Sequence, residues 1–308
     1  MKHWLRTSVV ASITIVCVVM TVHLFDWRTV IQALSRMRLA FFLCGCIPVV
    51  IGMFVVRGIR WLTVLGLPLD RHRLWQSIGA NGAASGLASV TPFQLGEIIK
   101  IGMIPDHDRS AWRMGVSAFF LERVLDLAGV IGMGLCGLLM RTDHAWLGVV
   151  ASFAPVFCGQ LLYSFAPMTK YLPHRLRHHT DLLHDYRCVT VASFLTLLLW
   201  LLYLTMWWIA VNAIHVSLTF GQATLLLGSV MLAVVASMTP GGLGVAELGS
   251  RGVLLWLGKS AAEADAGAIA LRLLTPILAC AGALCLLLTW LYRRRASLNS
   301  HPTKPRKT

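Results

Sequence analysis

The sequence predicts an all-α polytopic membrane protein of two inverted repeats, with about six transmembrane helices and two re-entrant helical hairpins. Its composition is 57% hydrophobic and 13% charged, and its mean hydropathy of +0.72 is typical of membrane proteins. Long apolar runs alternate with short basic segments. An interrupted motif also occurs twice, half a chain apart, which indicates a duplicated architecture.

The interrupted motif is a Thr-Pro dipeptide followed by glycine and glutamate. Its members are Thr91, Pro92, Gly96 and Glu97 in the first copy, and Thr239, Pro240, Gly241, Gly242, Gly244 and Glu247 in the second. The two prolines lie 148 positions apart, and Arg123 and Arg272, in the apolar runs that follow, lie 149 apart. This nearly constant offset predicts two copies of one unit, at about 39–140 and 188–292.

Six apolar runs are predicted to cross the membrane: about 8–24, 39–61, 115–140, 145–165, 189–211 and 266–292. The alternative for the first run is a signal peptide, which its length and the lack of a small-residue cleavage site disfavour. Segments 74–103 and 220–257 each contain a Thr-Pro break. A proline disfavours the α conformation for the residue before it, so each segment is predicted to enter the membrane and turn back.

The distribution of Lys and Arg predicts the orientation of the chain. With the basic tail 293–308 in the cytoplasm, the basic loops 57–73 and 170–187 fall on the same side, and the loop 259–265 falls outside. The loop 26–38 does not fit, because it lies outside and carries three arginines. Three spans separate the two breaks, so the second repeat is inverted relative to the first within a single membrane domain, residues 1–292.

The net charge of +14 does not indicate a nucleic-acid partner, because the basic residues lie in short loops and in the tail. Nearly all eight cysteines lie in apolar runs, so we expect neither a metal site nor a cofactor. The nucleophile elbow, P-loop and zinc-protease motifs are also missing from the sequence.

The two breaks are the predicted binding site. A half-helix that starts at Pro92 or Pro240 presents unpaired N–H groups and a positive dipole end, which suit an anion. Gly241, Gly242 and Gly244 would let a headgroup approach the backbone closely. The alternative is that proline and glycine only relieve packing in kinked spans.

Ionisable residues inside apolar segments are costly and are expected to pair with one another. We predict that Glu97 pairs with Arg123 and that Glu247 pairs with Arg272. Two roles stay open for these pairs: protonatable gates whose arginines a phosphate could capture, or structural ion pairs that lock the bundle.

Three more charged residues accompany the first pair. Glu122 and Asp126 lie four apart on one helix face and are predicted either to bracket a cation such as Lys100 or to be solvated at the membrane edge. Lys100 and Arg251 are predicted to attract anionic headgroups, or else to extend toward the interface.

Four motifs together resemble the transmembrane family named after lysylphosphatidylglycerol synthase. They are Arg60-Trp61-x-x-x-Leu65, Pro92-x-x-x-Gly96-Glu97, Glu122-Arg123-x-x-Asp126 and Pro240-Gly241-Gly242-Leu243-Gly244-x-x-Glu247. The resemblance implies a multi-pass, lipid-handling protein of the bacterial inner membrane. In the family's namesake this region is associated with flipping an aminoacylated phospholipid that a separate soluble domain makes. No such domain is recognised in this sequence, so aminoacyl transfer is not expected.

The function expected from the residues and the resemblance is translocation or binding of an amphipathic lipid whose anionic headgroup lies between the two breaks. The expected partners are anionic phospholipids or isoprenoid lipids, and a homo-oligomer or a biosynthetic partner stays open. The alternative is an integral-membrane enzyme or accessory subunit in the biosynthesis of lipids, lipid-linked glycans or hopanoid-type isoprenoids.

Overall fold

A computed structural model describes residues 2–88, 91, 96–103, 109–167, 181–237 and 239–299. These residues form helices and short connections, and no β-strand occurs among them. The all-α fold that the composition and the apolar runs predict is therefore confirmed for the described part of the chain.

The helices of the first half are α1 (Lys2–Leu24), α2 (Trp27–Ser35), α3 (Leu39–Val64), α4 (Arg71–Ala88), α5 (Ile99–Gly102), α6 (Arg109–Leu139), α7 (Ala145–Ser152) and α8 (Ala154–Phe165). Those of the second half are α9 (Tyr186–Ala213), α10 (Phe220–Ala236), α11 (Val245–Trp256), α12 (Ala261–Arg272) and α13 (Leu274–Asn299). Short 3-10 turns precede α9, at Asp181–His184, and α11, at Pro240–Gly242.

Among the described residues, three helices are long and apolar enough to cross a membrane: α3, α9 and the stretch Ala261–Tyr292 of α12 and α13. The bent pairs α1–α2 and α7–α8 raise this number to five if each pair is one span. Helix α6 has 31 residues but carries three ionisable side chains in its middle and is not among the five. With α6 added, and with α1 and the α7–α8 pair counted as one span each, the helices correspond to the six predicted spans.

The predicted span 145–165 corresponds to a bent pair of helices. The chain breaks at Phe153, and α7 and α8 are bent by 55° relative to each other. Pro155 lies in the first turn of α8. A proline there lacks an N–H group, and its ring clashes with the carbonyl four residues earlier, so α7 cannot continue through it.

Two other segments differ in detail from the prediction. The loop 26–38 contains α2, which Asp26 caps by accepting the N–H groups of Arg28 and Thr29 at 3.0 and 3.5 Å. The last span starts earlier than predicted, at Ala261, turns at Leu273 ahead of Pro276, and ends at Tyr292 as predicted. Helix α13 itself continues into the predicted tail as far as Asn299.

The second interrupted segment is a broken helical pair, as predicted, but its second helix starts at Val245 and not at Pro240. Helix α10 ends at Ala236, the turn Pro240–Gly242 follows, and α11 packs back against α10. Gly241, Gly242 and Gly244 have φ of 55°, 68° and 77°, a region that other residues occupy only with strain. In the first segment, α4 and α5 pack together, while Pro92 and residues 93–95 lie outside the described residues.

The two halves of the chain pack against each other reciprocally, each through one early and one late helix. Helix α4 packs on α13, and α6 packs on α10. Each contact includes a glycine pair: a Cβ on Gly82 would lie 2.6 Å from the Gly282 carbonyl oxygen, and a Cβ on Gly228 would overlap the Gly134 backbone. The pattern is the one expected of two equivalent units, although the inverted repeat and the domain division stay predictions.

The centre of the molecule is the packing of α3 on α9, the first long helices of the two predicted repeats. Cys46, Val50 and Met53 of α3 and Met206 and Ala210 of α9 are buried in this core. It places Arg57 and Arg60, one and two turns beyond Met53, deep inside the bundle.

Candidate functional site

Seven ionisable side chains form one cluster in the interior of the bundle. They are Arg57 and Arg60 of α3, Glu97 and Lys100 of the segment that contains α5, and Glu122, Arg123 and Asp126 of α6. Residues three or four apart on a helix share a face, so each segment presents its charges to the others.

The inner part of the ion cluster is closed. The Arg60 side chain, only 2% exposed, donates from Nε to Glu122 at 3.0 Å and from Nη1 to Asp126 at 2.5 Å. It also donates to the hydroxyl of Thr196 at 2.9 Å. Lys100 bonds to Glu122 and lies 4.6 Å from the centre of the Trp61 ring. These groups satisfy one another and hold α3, α5 and α6 together.

The outer part of the ion cluster consists of Glu97, Arg57 and Arg123, and not all of its hydrogen-bond donors are used. Glu97 accepts from Arg123 at 2.8 Å, as predicted, and also lies 3.4 Å from Arg57 and 3.6 Å from Lys100. Arg57 donates to Ser85 at 2.6 Å and to the Tyr203 hydroxyl at 3.1 Å. Within the described part of the chain, the Nε atoms of Arg57 and Arg123 are buried without a hydrogen-bond partner.

Four cations face three carboxylates in this cluster, so one formal positive charge is in excess when all seven groups are ionised. A buried charge without a partner is costly. The excess, together with the two unused Nε donors, makes this part of the bundle suited to an anion.

The second predicted ion pair is also present. The Nε of Arg272 lies 3.1 Å from Glu247, and its Nη1 donates to the Gly241 carbonyl at 3.0 Å. Glu247 accepts the Gly244 N–H at 2.8 Å, so this carboxylate also caps the start of α11. Unlike the first cluster, this pair carries no excess formal charge.

A cavity of about 190 Å³ brings the two interrupted segments together. Its lining includes Arg57, Ser85, Glu97, Tyr203, Gly241, Glu247 and Arg272. A second cavity, of about 430 Å³, is lined by Arg57, Arg60, Arg123, Asp126, Tyr203, Thr239 and Gly242 together with apolar side chains. Four side chains line both cavities and so lie between them: Arg57, Tyr203, Met231 and Val234.

Each cavity is lined by two helices that touch each other at a glycine pair. The larger one is bounded by α6 and α10, beyond the contact of Gly134 with Gly228. The smaller one is bounded by α4 and α13, beyond the contact of Gly82 with Gly282.

The larger cavity reaches the outer surface of the bundle. Leu127 of α6 and Val235 of α10 line it and are 45% and 49% exposed. Since such apolar residues face lipid in a membrane, the cavity borders the lipid.

Several predicted site residues lie elsewhere. Arg251 pairs with Asp265 at 2.5 Å and lines neither cavity. Lys100 is fully buried and does not extend toward the interface.

Among the predicted glycine, threonine and proline positions, some also lie away from the cavities. Gly96 packs against the end of α4 and donates its N–H to the Thr91 hydroxyl at 2.8 Å. Gly244 packs against Cys17 of α1, so it does not offer its backbone to a ligand. Pro240 opens the 3-10 turn, and Pro92 lies outside the described residues.

The prediction missed Arg57, Ser85 and Tyr203. The charge distribution assigns Arg57 to the basic loop 57–73, but α3 continues to Val64, so both of its arginines lie within the helix. An available signal was the spacing of Arg57 and Arg60 by one turn in an apolar run. Tyr203 carried no separate signal, because it lies among aromatic residues that are typical of a core or an interface.

Comparison with known protein families gave a match over most of the chain. A family model described as the lysylphosphatidylglycerol synthase TM region matches residues 5–283. The match includes both interrupted segments, the ion cluster and both cavities. Comparisons with curated proteins and with solved structures gave no match. The chain therefore belongs to the lysylphosphatidylglycerol synthase transmembrane-region family.

Proposed function

We propose that the chain translocates an amphipathic lipid with an anionic headgroup across the membrane. Family membership places it among multi-pass membrane proteins of lipid-related processes. The observation that carries the finer proposal is the excess positive charge of the ion cluster, directed by Arg57 and Arg123 into two cavities.

The headgroup is held because Arg57 and Arg123 exchange part of their contact with Glu97 for contact with the phosphate. A phosphate oxygen accepts from the guanidinium groups of Arg57 and Arg123 and replaces part of their contact with Glu97. Arginine suits this exchange because its planar group presents several donors at fixed angles. The inner ions Arg60, Lys100 and Glu122 stay in place and hold the helices around the headgroup.

The path of the headgroup runs past Arg57 and Tyr203, which line both cavities. The acyl or isoprenoid chains remain in the lipid. If the halves are inverted repeats, the two cavities serve opposite leaflets, and the glycine contacts provide close pivots for rocking. The substrate is an anionic phospholipid or an isoprenoid lipid, and the setting is the bacterial inner membrane with the C-terminus in the cytoplasm.

The test is a translocation assay in proteoliposomes with fluorescent lipids of anionic, zwitterionic and cationic headgroups. The anionic lipid is expected to cross fastest. Arg123→Gln is expected to slow it at least tenfold, because a hydrogen bond to a charged group contributes about 1.5–3 kcal/mol. Exposed Arg71 provides a control, since Arg71→Gln removes the same charge far from the cavities.

Two outcomes would reject this proposal. Equal rates for all headgroups would remove the role of the excess charge. A chemically altered lipid formed during the assay would support the rival function, an integral-membrane enzyme of lipid biosynthesis.

A further inference from the structure

Helix α2 lies across the direction of α1. The two helices are bent by 78° relative to each other. On one side α2 packs against α12, where Val30, only 1% exposed, joins Phe25 and Ala268 in a small core. If α1 crosses the membrane, α2 must run nearly parallel to the membrane surface.

The next side of α2 is apolar and exposed. At about 100° per residue, Trp27 and Ile31 lie on one flank of the packed side defined by Val30 and Leu34. They are 39% and 64% exposed. In an interfacial helix this flank enters the lipid, and Trp is a common anchor at this depth.

The remaining side of α2 is polar and basic. Arg28, Gln32 and Arg36 follow one another around it, and all three are exposed. The only acidic side chain of this segment, Asp26, caps α2 by accepting the N–H groups of its first turn. Arg38 is engaged separately, donating to the carbonyl of Asn212 at 2.7 Å. Two arginines therefore face the same side as the headgroups of the membrane.

Helix α2 also contacts the second interrupted segment. The Asp26 N–H donates to Asp265 at 3.0 Å, and Asp265 accepts from Arg251 of α11 at 2.5 Å. Gly244, which directly precedes α11, packs against Cys17 of α1. The α1–α2 unit thus contacts α11 at its start and, through Asp265, at Arg251.

We infer that α2 is an interfacial helix that binds anionic phospholipid headgroups at the membrane surface through Arg28 and Arg36. This site is separate from the cavities and does not depend on the proposed translocation. It also accounts for two of the three arginines of residues 26–38, which the predicted orientation left unexplained; the third, Arg38, bonds to the carbonyl of Asn212.

Hydrogen exchange of the full chain in nanodiscs tests the inference, with phosphatidylcholine alone or mixed with phosphatidylglycerol. We expect α2 amides to exchange about thirtyfold more slowly with phosphatidylglycerol, since each arginine at an anionic surface contributes roughly a fivefold preference. The double variant Arg28→Gln/Arg36→Gln removes this difference, and Arg71→Gln keeps it. Exchange of the central helices α3 and α9 reports whether the variants fold.

Quenching of Trp27 fluorescence by brominated lipids, taken as the difference from Trp27→Phe, gives its depth. The inference requires strongest quenching near the headgroups. Exchange of α2 that does not depend on lipid charge would overturn it. So would a dependence that survives in the double variant, or a Trp27 that only an aqueous quencher reaches. A failure of translocation would leave each of these results unchanged.

Discussion

Arg60→Gln tests whether the inner part of the ion cluster holds the bundle together. Arg60 bonds to Glu122, Asp126 and Thr196, so it joins α3 to α6 and α9. Glutamine is shorter and uncharged. It leaves the buried carboxylate of Glu122 with Lys100 alone, and that of Asp126 with Arg123 alone.

The expected loss of stability follows from burial. Removing one partner of a buried ion pair typically costs about 3–5 kcal/mol, because the other charge stays uncompensated. Lys100 and Arg123 still compensate part of the carboxylate charge, so we expect a loss of about 3 kcal/mol in the free energy of unfolding. Arg73→Gln is the matched control: its pair with Asp70, at 3.4 Å, is exposed and contributes less than about 1 kcal/mol.

The assay is equilibrium unfolding in mixed micelles of increasing sodium dodecyl sulfate content, followed by helical circular dichroism. The free energies of both variants are compared with that of the native chain. If Arg60→Gln were no less stable than Arg73→Gln, the ion cluster would not hold α3, α6 and α9 together.

The remaining predictions concern packing and the binding site. Gly82→Ala is expected to lose about 1–3 kcal/mol of unfolding free energy by overpacking, whereas Gly86→Ala, with no atom within 4 Å of its new Cβ, is not; equal thermal stabilities would contradict this. Tyr203→Phe removes a hydrogen bond from Arg57, and translocation should slow about fivefold with the melting temperature nearly unchanged. Glu97→Gln removes the competitor of the anion, so anionic lipid should bind about tenfold tighter in native mass spectrometry, and weaker binding would refute the exchange of partners.

The fold was predictable to the extent that it depends on composition and repetition. Apolar runs identified the long helices, and the glycines after Pro240 identified the second break, because few other residues adopt positive φ. The bend between α7 and α8 had a local signal in Pro155, which was overlooked. Helix α2 had only a weak signal, Asp26 as a cap, because a nine-residue helix depends on packing against its neighbours.

The types of residue in the candidate site were predictable, but not all of the hydrogen bonds between them were. Because charges inside apolar runs are expected to pair, the sequence predicts the ion pairs of Glu97 with Arg123 and of Glu247 with Arg272, and both are present. The sequence could not show that Arg60 bonds to two carboxylates of α6, because that depends on how distant helices pack.

Crosslinking between the two interrupted segments tests the central claim, a common cavity between them, most directly. Ala88 and Ala246 line the smaller cavity from opposite halves of the chain. In a variant without the eight native cysteines, we predict that Ala88→Cys and Ala246→Cys are joined by a short bifunctional thiol reagent in membranes, and that anionic lipid slows the reaction. If each cysteine reacts singly but no link forms, the two segments do not share a cavity and the account is wrong.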